Sequence, residues 1–122
     1  PNGTELAYCC LNAVSRDFAR IGEMILHNGS LNNHHFVDSS FIVKMGTSVI
    51  DTAYGQSLWL GKTGADKWLM FQGTLGQFII IVPSKKLVIV RTGNRKKKGK
   101  RRIPDCGYTY ADEIISDKIF SN

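Results

Sequence analysis

The stretch QFIIIVPSKKLVIVRT, residues 77–92, decides the fold class. Gln77–Val82 and residues 87–92 are rich in β-branched side chains, and Pro83-Ser84-Lys85-Lys86 between them has the composition of a tight turn. Two strands joined this closely must run antiparallel. Their apolar residues run almost unbroken instead of alternating with polar ones. A half-exposed strand alternates, so both faces of this sheet are expected to be covered.

Upstream, residues 55–60 and 67–72 read as two further strands. Gly61-Lys62-Thr63-Gly64 lies between them, within LWLGKTGADK (residues 58–67). A phosphate-binding loop needs four residues between its first glycine and Gly-Lys-Thr, and a helix afterwards. Gly55 and Gly61 have five residues between them, and a strand follows. Nucleotide binding is therefore not expected. The segment reads as a hairpin turn between Trp59-Leu60 and Trp68-Leu69.

Before the strands, Ser15-Arg16-Asp17-Phe18 has the marks of a helix start. Ser15 is the expected cap, and Asp17 sits near the positive end of the dipole. Phe18, Ile21, Met24, Ile25 and Leu26 form a broad apolar stripe. Gly29, after His27-Asn28, suits the left-handed cap position. A shorter helix is expected after Asp38, burying Phe41, Ile42 and Met45. A last helix is expected from about Tyr110, with Ala111, Ile115 and Ile119 on its sheet-facing side. The order is helices, an antiparallel meander, then a helix, an α+β class.

The chain has 122 residues and a net charge of +6. That length suits one domain, or the C-terminal piece of a larger one. The basicity is local. From Arg91 to Arg102 there are eight basic residues and no acid, leaving eight basic groups against ten acids elsewhere. Such a run is ordinarily a solvated loop. It also allows an alternative role, a non-catalytic binding or structural module using residues 95–102 on a polyanion. A nucleic acid partner is not favoured. No apolar run is long enough to cross a bilayer.

Catalytic and metal patterns are sparse. No Ser has Lys three residues later, no Tyr-x-Asn occurs, and no Gly-x-Ser-x-Gly elbow is present. Ser30-Leu31-Asn32 has the letters of a Ser-x-Asn box but reads as a surface turn. His34 and His35 are adjacent and point apart on a regular element, so no metal and no cofactor is expected. Asp51, Asp112 and Glu113 make no general acid/base pair. Neighbouring Cys9 and Cys10, with Cys106, form no C-x-x-C and are read as free thiols.

One combination is more specific. SRDFARIGEMILHNG (residues 15–29), followed by FQGTLGQFIIIVPSKKLVIVRTGN (residues 71–94), resembles the C-terminal part of the β-lactamase-related serine hydrolases. These include class C β-lactamases, DD-peptidases and esterases. Tyr54-Gly55 followed by Trp59 adds to the resemblance, which spans roughly residues 8–120. Val14 departs from the Ser or Thr found in relatives.

The resemblance implies a partial β-lactamase/transpeptidase-like fold. It implies ester, amide or peptide hydrolysis through an acyl-enzyme, in a parent that is periplasmic or exported. The family's Ser-x-x-Lys and second box have no counterpart in these 122 residues, so this chain alone is expected to be inactive. A separate N-terminal fragment, or a second copy, is an expected partner. The family's third box falls on Phe71-Gln72-Gly73. Phe71 and Gln72 become substrate-binding candidates. Gly73 matches the box glycine, and the backbone N–H of Thr74 becomes half of an oxyanion hole. Phe71 stands where relatives carry Lys, His or Trp, which argues against β-lactam recognition. Otherwise, Gly73 and Gly76 mark a strand bulge or close packing.

Overall fold

The computed structural model describes residues 11–50, 53–73 and 77–92. Over these residues the protein is α+β, with a four-stranded antiparallel sheet, a two-stranded hairpin and two helices. The expected helix from Tyr110, the basic run 95–102, the three cysteines, Asp51, Asp112 and Glu113 lie outside the described residues.

Helix α1 spans Ser15–Leu26. Its cap differs from expectation. Val14, in extended geometry, is the N-cap and has no side-chain hydrogen bond to the helix. Ser15 has instead become the first helical residue, and its hydroxyl meets the Thr92 hydroxyl at 2.8 Å. Asp17 is in the first turn as expected and pairs with Arg20 at 2.7 Å. Both are exposed, so this pair contributes little.

The helix stop is shared between two residues. Asn28 N–H donates to Ile25 O at 3.1 Å and Gly29 N–H to Met24 O at 2.8 Å. This is the Schellman arrangement, with Asn28 (φ 53°) in the left-handed position expected for Gly29. Gly29 follows at φ 94°, and an added Cβ would sit 1.9 Å from Val37 O. Glycine is needed there for conformation and for space.

Strands β1 (Ser30–Leu31) and β2 (His34–His35) form a small hairpin. Asn32 and Asn33 both have positive φ, as a two-residue type I′ turn requires. Ser30, read as part of a surface turn, and the two histidines are therefore on this ladder. Helix α2 (Ser39–Met45) follows, and Asp38 caps it by accepting Ser40 N–H at 2.7 Å. Ile42 and Met45 are buried, but Phe41 is 48% exposed, contrary to expectation. A seven-residue helix lying on one sheet can bury only a narrow stripe.

The sheet runs β3 (Trp59–Thr63), β4 (Asp66–Gly73), β5 (Gln77–Val82) and β6 (Leu87–Arg91), in that order. The first strand is displaced from the expected 55–60. Among the described residues before it, Tyr54 makes an isolated bridge, opposite Trp59. A 3₁₀ turn at Pro83–Lys85 and a left-handed Lys86 (φ 49°) connect β5 to β6.

The unbroken apolar runs have the expected cause. Phe78, Ile80 and Val82 join Trp68 and Met70 in one buried cluster. Ile79 and Ile81 point the other way and join Ile25, Ile42, Met45 and Leu58. Neighbouring residues thus enter different cores. Helix α1 lies across β5 and β6 on the second face. Gly22 permits the approach, since an added Cβ would meet Val88 Cγ1 at 2.5 Å and Ile79 Cγ2 at 2.9 Å.

Candidate functional site

The last residues of β4 carry three of the four candidates. The β3 ladder ends at Trp59 opposite Met70. The β5 ladder continues, pairing Phe71 with Ile79, Gln72 with Phe78 and Gly73 with Gln77. Phe71, Gln72 and Gly73 therefore have strand partners on one side only, within the described ladders. A strand that outruns its neighbour leaves backbone donors and acceptors along that margin.

The three side-chain positions differ. Phe71 is half-buried and packs on the cluster under α1 and α2. Gln72 faces the opposite way, by strand alternation, and is exposed. Gly73 is exposed and in regular register, so it is not a bulge. A Cβ there would approach Gln77 Cβ to 3.2 Å and Gln77 Oε1 to 3.3 Å, which is close packing. Thr74 and Gly76 lie outside the described residues.

Lys62-Thr63-Gly64 is explained by packing. Lys62 and Thr63 end β3, and only Gly64 (φ 60°) enters the turn with Ala65. Trp68 Nε1 donates to Thr63 Oγ1 at 3.1 Å, so the hydroxyl ties the hairpin together. The Trp68 ring lies over Gly61, where an added Cβ would be 1.9 Å from Cζ2. Gly55 has a similar role: a Cβ there would sit 2.1 Å from Met45 O. The Tyr54 and Trp59 rings meet edge to face, with centroids 4.9 Å apart.

At the β1–β2 hairpin, the Ser30 hydroxyl contacts His35 Nδ1 at 3.0 Å. Asp38 is near enough to feel His35. Hydrogen bonds from Ser40, the side-chain one first and then the backbone one, hold the Asp38 carboxyl below its ordinary range, and His35 adds to this. The letters are those of a hydroxyl–imidazole–carboxylate set. The Asp38 carboxylate, however, is committed to capping α2, and both His35 and Asp38 are exposed. Among the described residues, no group of three or more His, Cys, Asp or Glu side chains is placed to hold a metal. None of their helices is long and apolar enough to cross a membrane.

Sequence reading missed the facing of Lys62 and Lys67 across the hairpin. The signal was present. Placing the two-residue turn at Gly64-Ala65 pairs Thr63 with Asp66 and then Lys62 with Lys67.

No protein-family model matches the chain, and no curated protein matches it.

Proposed function

We propose that the chain is the C-terminal portion of a β-lactamase-related serine hydrolase. In the longer parent, an ester, amide or peptide would be cleaved through an acyl-enzyme. The nucleophile comes from a Ser-x-x-Lys segment outside these 122 residues. The present segment supplies one wall of the site and the Thr74 N–H, one of two donors to the developing oxyanion.

The observation that carries this reading is the margin of Phe71-Gln72-Gly73, where β4 outruns β3 among the described residues. The family's third box needs such a margin beside its substrate. Large apolar side chains exposed around α2, among them Phe36, Val43, Val49 and Ile50, suit a surface that another segment covers.

The test begins with the coding sequence upstream of Pro1 and expression of the whole frame. A fluorophosphonate probe should label a Ser-x-x-Lys serine in the parent and nothing in the 122-residue chain. Thr74→Pro in the parent removes the N–H and should lower kcat by roughly 10²–10³, with KM much less affected. A frame without Ser-x-x-Lys, or serine-dependent acylation by the short chain, overturns the proposal.

A further inference from the structure

A groove lies on the β3–β4 hairpin, away from Phe71–Gly73. Its volume is about 560 Å³, and it is lined by Gly46, Thr47 and Ser48 after α2 and by residues 60–62 and 67–69 of the hairpin. The turn after α2 lies against the sheet here: a Cβ added to Gly46 would sit 3.6 Å from Leu69 Cδ2.

Charge distinguishes this groove. Lys62 and Lys67 are direct register partners. They share the face that carries Leu60 and Leu69, two residues away on each strand. Like charges directly opposite each other on a ladder repel. Neither lysine has an ion-pair partner among the described residues, since Asp66 is taken by Lys85 and Ser84. The floor is apolar, because Leu60 and Leu69 are half-buried against the cluster below. Ser48 also lines the groove, and the Thr47 hydroxyl already donates to Val43 O at 2.7 Å.

We infer that this groove binds a small organic anion, with its carboxylate between Lys62 and Lys67 and its apolar body on Leu60 and Leu69. Two ammonium groups converging on one anion replace repulsion with two charge-assisted hydrogen bonds. Each half of the ligand meets a matching half of the groove. The inference is independent of the hydrolase reading, because none of its residues belongs to the Phe71–Thr74 segment.

The test is an amide NMR titration of the chain with octanoate, octylammonium and inorganic phosphate. Octanoate should saturate shifts at Thr47, Ser48, Gly61, Lys62 and Lys67, while octylammonium leaves them unmoved. Lys62→Gln or Lys67→Gln should each weaken octanoate about fivefold, as expected for one charge pair in a water-like dielectric. The double variant should lose saturable binding. Both lysines are exposed, so neither change disturbs the core. In the unaltered chain, binding should also weaken as salt rises. Shifts centred elsewhere, equal octanoate binding by the double variant, or salt-independent binding overturn the proposal. Phosphate binding as tight as octanoate overturns its apolar half.

Discussion

Trp68 and Thr63 are joined by a 3.1 Å hydrogen bond from the indole N–H to the hydroxyl, across the turn between β3 and β4. The same indole covers Gly61 and is 1% exposed. A buried indole must satisfy its N–H, and its ring must find a flat neighbour. Thr63 and Gly61 meet these two requirements. Thr63→Val should cost about 1 kcal/mol, the usual net worth of such a bond. Gly61→Ala should cost roughly 1–3 kcal/mol by overpacking. Urea denaturation followed by Trp fluorescence measures both, and a neutral Gly61→Ala contradicts the packing role.

Gly22 poses a contest between two effects. Alanine gains about 1 kcal/mol in helix propensity over glycine. The added methyl would meet Val88 and Ile79 within 3 Å, and separating the helix from the sheet costs roughly 1–3 kcal/mol. Gly22→Ala should therefore be destabilising by about 1 kcal/mol, with Gly22→Val worse. A stabilised Gly22→Ala protein means that α1 does not press on β5 and β6 as described.

Asp38 gives a pH dependence. Its folded carboxyl is held low by hydrogen bonds from Ser40 and by His35. A lowered acid makes the folded state bind its proton less readily than the unfolded chain. Its stabilising contribution is complete above the unfolded carboxylate pKa and disappears as pH falls through the lower folded value. Asp38→Ala should therefore lower Tm at neutral pH, and the difference from the unaltered protein should close below both values. A gap that stays constant into acid would rule out the charged cap. A carboxyl NMR titration reads the lowered pKa directly.

Phe36 is 64% exposed, Val43 63%, Val49 69% and Ile50 99%. Apolar side chains gathered in one part of the chain favour association or dye binding when left uncovered. The isolated chain should enhance the fluorescence of a hydrophobic dye or sediment above its monomer mass. Replacing Val49 and Ile50 with Ser should reduce either effect. A monodisperse monomer that binds no dye contradicts the expectation.

Local patterns in the sequence were sufficient for the amphipathic helix at Ser15, the Asp38 cap, and the strands at residues 67–72, 77–82 and 87–92. Each depends on chemistry within a few residues: side-chain periodicity, a capping oxygen, a proline-led turn. The unbroken apolar run QFIIIV also implied two covered faces. Local patterns failed where distant chain segments competed for the same residue. Ser15 left its expected cap to meet Thr92, and Phe41 stayed outside because α2 buries only a narrow stripe. The strand expected at residues 55–60 moved to Trp59–Thr63, drawing Lys62 and Thr63 into the ladder. Trp68 needed Thr63 for its N–H and Gly61 for its ring. Tertiary pairing also set the geometry of the candidate site, because among the described strands β5 pairs with Phe71–Gly73 and β3 stops opposite Met70. Composition located the residues, but which neighbours they met was decided by sheet register, a property of two strands at once.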